Sequence, residues 1–211
     1  MRHETTHTRE TIFVVDDDPS VREAFGNLLE SVGFDAHLFS STEEFRSAEL
    51  PDVPSCLLLD LQLPGANGLD FQQALERAGI SIPIIFVTAY GDVPSASRAL
   101  KAGAVEFLMK PVQKHELLKA IEQALKLDRA QRVTRAEFSA LKSRFEELTM
   151  REREVLHLVA NGLTNKEIAD QLGISEVTTK MHRGQVMRKM NAASIADLVR
   201  MSDKLKFRAV Q

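Results

Sequence analysis

Five short apolar runs punctuate the first part of the chain: TIFVV (11–15), DAHLF (35–39), CLLLD (56–60), IPIIFVT (82–88) and AVEFLM (104–109). Around Val14, Leu58 and Ile85 the apolar residues are consecutive, the pattern of strands covered on both faces. Between the runs, apolar positions take helical spacing over 19–31, 41–48, 68–78, 92–102 and 113–127. The helix ends carry their own chemistry. Asp18 can cap a helix that starts with Pro19, Ser41 and Glu44 form a capping box, and Gly33, Gly79 and Gly103 stand where helices stop. Five βα units in succession predict an α/β fold, a doubly wound five-stranded parallel sheet whose functional crevice lies at the carboxyl ends of the strands.

Beyond Leu127 the strand pattern ends. Phe138, Leu141, Phe145 and Leu148 follow one another at spacings of 3, 4 and 3, a short helical seam. The stretch DRAQRVTRAE before it lacks Gly and Pro, which predicts a helical linker. Two heptads suit packing on the seam's own domain as well as a dimerising coiled coil. From Thr149 onward, Thr149–Glu152, Thr164–Glu167 and Ser194–Asp197 fit the capping pattern, and Gly162, Gly173 and Asn191 supply the stops. Helices are predicted over 150–160, 165–172, 176–190 and 195–204. The tight GIS turn between the second and third predicts a small all-α helix-turn-helix domain. The expected organisation is therefore a tail at 1–10, an α/β domain at 11–127, a helical linker at 128–148 and the helical domain at 149–211.

Charge follows this division. Residues 1–128 carry 11 basic and 20 acidic side chains (−9), residues 129–148 carry +2 and residues 149–211 carry +4. An acidic front and a basic back suggest different partners, the second a polyanion. No apolar run approaches the roughly 18 residues of a membrane span, and MRHETTHTRE lacks the apolar core of a signal peptide and reads as a disordered tail. The single Cys56, inside CLLLDL, reads as a buried structural thiol and fits a reducing, cytoplasmic setting.

Against this background the run Asp16–Asp17–Asp18 is unusual. Asp16 and Asp17 end the first predicted strand, Asp60 the third, Thr88 the fourth and Lys110 the fifth. Neighbouring strand ends would gather three carboxylates in one crevice, which a hard divalent cation would tolerate. A hydroxyl and an ammonium at the same mouth suit phosphate oxygens, and an aspartate can itself be the phosphoryl acceptor. Asp18 alone reads better as a helix cap.

The segments VVDDDP, LLLDLQLPGANG, FVTAYGD and FLMKP, in this order, resemble the response-regulator receiver domain over residues 11–127. The resemblance implies that a sensor histidine kinase phosphorylates Asp60. It implies Mg²⁺ held by Asp17, Asp60 and the backbone carbonyl of Gln62, with Asp16 acting through water. Thr88 and Lys110 would hold the phosphoryl group, Lys110–Pro111 would be a cis peptide, and Thr88 and Phe107 would form the switch. Gln62 and Tyr90 occupy the variable positions flanking the acceptor.

The segments LTMREREVL, GLTNKEIA and LGIS resemble the LuxR-type helix-turn-helix domain, and the whole chain resembles a FixJ-type response regulator. Residues 176–190 would then be the recognition helix. Its spacing places Thr179, His182, Val186 and Met190 on an inward stripe and Val177, Met181, Gly184 and Arg188 on an outward one. Candidate DNA contacts are Lys166, Val177, Thr178, Lys180, Met181, Arg183, Gly184 and Arg188. Thr179 stands where the family usually carries an apolar residue, and Val177 where it carries a polar one. His182 reads as a packed or capping histidine, not a metal ligand.

The leading expectation is a transcription factor switched by phosphorylation of Asp60. It would dimerise through the receiver when phosphorylated and bind double-stranded promoter DNA, with RNA polymerase as a further partner and no membrane association. Its only enzymatic acts would be self-phosphorylation and self-dephosphorylation. Two alternatives remain at this stage: a DNA-binding regulator indifferent to phosphate, and a Mg²⁺-dependent phosphohydrolase. The phosphohydrolase would need an acid two residues after Asp60, where Gln62 stands.

Overall fold

The computed structural model describes residues 9–208. Of the expected tail, residues 1–8 lie outside the described residues. Contacts divide the chain into two compact units, Met1–Arg132 and Val133–Gln211. The boundary lies inside a single helix.

The first unit is a parallel sheet built from β1 (Thr11–Val15), β2 (Asp35–Phe39), β3 (Ser55–Leu59), β6 (Ile84–Thr88) and β7 (Glu106–Met109), in the order β2-β1-β3-β6-β7. Two two-residue strands, β4 (Gln62–Leu63) and β5 (Ala66–Asn67), pair antiparallel just after β3. The sequence pattern gives no sign of them, because neither is long enough to show a period. Strand β6 begins only after Pro83, which has no N–H for the ladder, although Pro83 O still accepts from Leu57 N at 2.9 Å.

Side-chain alternation explains why the central strands are apolar throughout. Phe13, Val15, Leu57, Leu59, Ile84 and Phe86 point into one core. There they meet Phe45 of α2 (Thr42–Ser47), Leu69, Phe71 and Leu75 of α3 (Gly68–Arg77), and Ala99 of α4 (Val93–Lys101). Ile12, Val14, Cys56, Leu58, Ile85 and Val87 point into a second core. This one is covered by Leu29 of α1 (Pro19–Ser31) and by Leu117, Ile121 and Leu125 of α5 (Lys114–Glu146). Cys56 is fully buried, and burial pushes its thiol far above the ordinary range. The edge strands β2 and β7 are only partly covered, which is why their runs mix polar with apolar residues.

The helix expected over 113–127 continues to Glu146. Polar contacts fasten its extension to the amino ends of β1 and β3. The almost fully buried Asp128 accepts from Ser55 N at 2.9 Å and from Arg132 Nε at 2.6 Å. Arg132 also pairs with Asp52, and Arg129 with Glu10.

In the second unit, α6 (Met150–Ala160), α7 (Asn165–Leu172), α8 (Glu176–Met190) and α9 (Ile195–Arg208) pack with the end of α5 around Val155, Ile168, Val186, Met190 and Leu198. Leu141, Phe145 and Leu148 join this core, so the seam is used within its own unit. Helices α6 and α7 start with complete capping boxes, Thr149–Glu152 and Thr164–Glu167. Gly173, at φ 64°, ends α7, and Ser175 caps α8 at once.

Asp128→Ala leaves the Ser55 N–H buried without its acceptor and removes one of the two carboxylates that hold Arg132. Urea unfolding of the full chain is expected to show a loss of about 1–3 kcal/mol from the first unit. An unchanged midpoint would mean that the extension of α5 is held without Asp128, by packing and by the pairs Arg129–Glu10 and Arg132–Asp52.

Candidate functional site

Register builds the acidic pocket. Val15 pairs with Leu59 across β1 and β3, so the residues that follow, Asp16 and Asp60, emerge side by side. Thr88 pairs with Met109 across β6 and β7, which brings Lys110 to the same edge. The sheet changes winding direction between β1 and β3, where open parallel sheets leave a crevice.

Asp16 and Asp60 are almost completely buried, whereas Asp17 is exposed. One carboxylate oxygen from each of the three lies within 4.8 Å of the others. Lys110 Nζ donates to Asp16 Oδ2 at 2.6 Å and to Asp60 Oδ2 at 2.7 Å. Burial raises the Asp16 carboxyl above its ordinary range, and the Asp60 charge adds to the shift against the opposing pull of Lys110. Lys110 itself is raised: burial acts downward, but its bonds to Asp16 and Asp60 together outweigh it. The set is made of hard oxygen donors around a partly desolvated charge that the one ammonium leaves incompletely balanced. It fits a small divalent cation.

The remaining predicted residues of the pocket surround this core. Thr88 is fully buried, and its Oγ1 accepts from Tyr90 N at 3.2 Å. Gln62 N donates to Asp60 Oδ1 at 3.1 Å. Asp18 caps α1, accepting from Ser20 N at 2.8 Å. Phe107 is half-buried, with its ring 6.0 Å from that of Phe86. The Lys110–Pro111 peptide is cis.

Two features were not singled out from the sequence. Arg22 Nη1 donates to the Asp16 carbonyl at 2.6 Å and braces the loop after β1. Gly68 lies against the acceptor strand so closely that a Cβ there would sit 2.5 Å from the Asp60 carbonyl oxygen. The glycine in GANGLD was the available signal, but a helix-starting glycine does not say which backbone it touches.

In the second unit, α8 divides as its spacing predicts. Thr179, Val186 and Met190 are buried and His182 is half-buried, while Val177, Lys180, Met181, Gly184 and Arg188 are exposed. The fully buried Thr179 satisfies its hydroxyl by donating to Ser175 O at 3.2 Å, which is how a polar residue occupies an apolar position. Thr178 is half-buried, with its hydroxyl 2.8 Å from Ser175 Oγ. Arg183 Nη1 donates to Asn165 Oδ1 at 2.5 Å, and Lys166 is exposed on the first turn of α7. Lys189 is directed elsewhere, to Glu152 Oε2 at 2.7 Å. Burial acts upward on Glu152, yet Lys189 and the Thr149 N–H hold its carboxyl below the ordinary 4.5.

Two family models match the chain: "Response regulator receiver domain" over residues 12–122 and "Bacterial regulatory proteins, luxR family" over residues 146–202. Nodulation protein W of Bradyrhizobium diazoefficiens is 49% identical over 96% of this chain and 89% of its own length. Response regulator protein TodT of Pseudomonas putida is 45% identical over 92% of this chain and 86% of its own. Among solved structures, response regulator StyR superposes with a TM-score of 0.81 at 46% identity, covering 93% of this chain and 99% of that one. Full-length FixJ from B. japonicum gives 0.53 at 32% identity, covering 93% and 97%.

Gly68→Ala forces either the Asp60 backbone or α3 to move, and a loss of about 1–3 kcal/mol in urea unfolding is expected; a neutral result would show that α3 can shift freely. For the second unit the sign follows from a depressed carboxyl. The stability that Glu152 contributes is complete above about pH 4.5 and is lost as pH falls through its lower folded value. Glu152→Gln is expected to cost about 1–2 kcal/mol at pH 7 and to flatten the acid limb of the stability profile. An acid limb of unchanged steepness would place that titration elsewhere.

Proposed function

The chain belongs to the response regulators that join a receiver domain to a LuxR-type DNA-binding domain, and on that premise we propose that Asp60 is the phosphoryl acceptor that controls operator binding. The observation that carries this reading is the contact of Lys110 Nζ with Asp16 and Asp60 together, at the crevice of the sheet. It marks Asp60 as a buried carboxylate with a cation already placed beside its oxygen.

In this reading an Asp60 oxygen attacks the phosphorus of a phosphohistidine on the partner kinase. The new P–O bond forms as the P–N bond breaks, and the imidazole leaves. Mg²⁺, when bound by Asp16, Asp17, Asp60 and the Gln62 carbonyl, supplies positive charge to the phosphoryl oxygens and offsets the crowded carboxylates. Lys110 keeps its hold on one side of the acceptor and turns toward a phosphoryl oxygen. The Thr88 hydroxyl, which now accepts from Tyr90 N, rotates to donate to another. Tyr90 and the loop after β6 then lose an anchor, and Phe107, half-buried beside Phe86, moves inward to fill the space that Thr88 vacates.

The face of α4 and α5 altered by this movement becomes the dimer contact. Two copies of α8 then address a two-fold related operator in double-stranded promoter DNA. Lys180 and Arg188 meet phosphates or base edges, Lys166 meets a phosphate, and Arg183 is held by Asn165. RNA polymerase is the expected downstream partner of the bound dimer. The absence of a helix long and apolar enough to cross a membrane among the described residues bears on spanning alone.

The test is operator affinity measured with and without phosphoramidate and Mg²⁺, on wild type and Asp60→Asn. Wild type is expected to tighten by about tenfold or more, and Asp60→Asn not at all. An equal response from the variant would place the switch elsewhere, and tight binding by both without donor would make the chain a constitutive regulator.

A further inference from the structure

The outward stripe of α8 is not the polar surface that a DNA-facing helix would ordinarily present. Its first two members, Val177 and Met181, are apolar and 80% and 56% exposed. They stand one helical turn apart. The next member, Gly184, offers no side chain, and a Cβ added there would meet nothing within 4 Å. Two of the basic residues of α8 are drawn away from this stripe, Arg183 to Asn165 and Lys189 to Glu152. Arg188 continues the stripe, Lys180 flanks it, and both are exposed, as is Lys166 on α7. The centre of the stripe can therefore approach a polyanion closely, yet Val177 and Met181 can give it no hydrogen bond.

We infer that Val177 and Met181 read sequence through the 5-methyl groups of thymines in the major groove. This rests on the DNA-binding function proposed above and adds the chemistry of its recognition. Each base pair presents hydrogen-bonding groups in that groove, and the thymine methyl is the one apolar feature there. Apolar side chains gain by covering the methyl and lose by desolvating a donor or acceptor that they cannot replace. The two residues are about 6 Å apart along the helix, a span of about two base steps at 3.4 Å each. The preferred half-site thus carries two thymines one or two steps apart, on either strand. The exposed cations supply affinity for any duplex, and the hydrocarbon pair supplies the choice among them.

Duplexes recovered from a randomised pool by the full-length protein, held active with beryllofluoride and Mg²⁺, provide the site. Each thymine is then replaced in turn by deoxyuridine, which removes only the methyl group. One or two replacements per half-site are expected to weaken wild type by about three- to tenfold. Val177→Ser and Met181→Gln, both at exposed positions, should keep the wild-type melting temperature and bind the intact site more weakly by a similar factor. Each should also become indifferent to one of those replacements. Lys180→Ala should instead weaken every duplex and keep the sensitivity to deoxyuridine. A selected duplex whose affinity for wild type is unchanged by all replacements overturns the methyl reading and leaves DNA recognition standing. If no duplex is enriched, DNA recognition itself fails, and this inference with it.

Discussion

The contact on which the first unit depends is the Lys110 ammonium between two buried carboxylates. Parallel strands in register must place the residues after β1 and β3 about one strand spacing apart. With aspartates at both places, burial and the neighbouring Asp60 charge raise the cost of ionising Asp16. Lys110 reaches them because the β6–β7 register brings it to the same edge. The arrangement holds the charges together without neutralising them all, and that residual charge is what a cation and a phosphoryl group would complete in the proposed function. The deep apolar cores on both faces of the sheet make this crowding of charge at its edge tolerable.

Those two cores also explain how the opposite end of the sheet is secured. Helix α5 covers one face through Leu117, Ile121 and Leu125, then continues past the sheet as a polar helix. A polar helix would fray from the sheet without directed contacts. Asp128 provides one by satisfying a backbone N–H at the start of β3 and by holding Arg132. The acidic pocket at the carboxyl edge and the anchoring at the amino edge are thus separated by the full length of the strands.

The helical unit answers a different constraint: it is small, and much of α8 must remain exposed. Capping adds to burial in ordering it. Complete boxes start α6 and α7, a left-handed glycine ends α7 and Ser175 caps α8. The buried Glu152 ties α8 to α6 through Lys189, which fixes the helix while leaving its outward stripe uncommitted to the core.

Much of this was legible in the sequence. Consecutive apolar runs, Asp18 before Pro19 and the repeated capping pattern rest on local physics: dihedral preference, hydrogen-bond satisfaction and the period of a helix or strand. They placed α1, α6, α7 and α8 to the residue, and the outward face of α8 with them. Strand ends also put Asp16, Asp60, Thr88 and Lys110 at one mouth, because register and topology allow few alternatives. What remained hidden was set by residues far apart in the chain. The approach of Gly68 to the Asp60 carbonyl, the pairing of Asp128 with Ser55, and the division of the α8 cations between Asn165, Glu152 and solvent leave no periodic trace. The pairing β4–β5 is too short to leave one. Local pattern carries what a segment does by itself; only the folded chain decides which distant backbone group or charge each side chain meets.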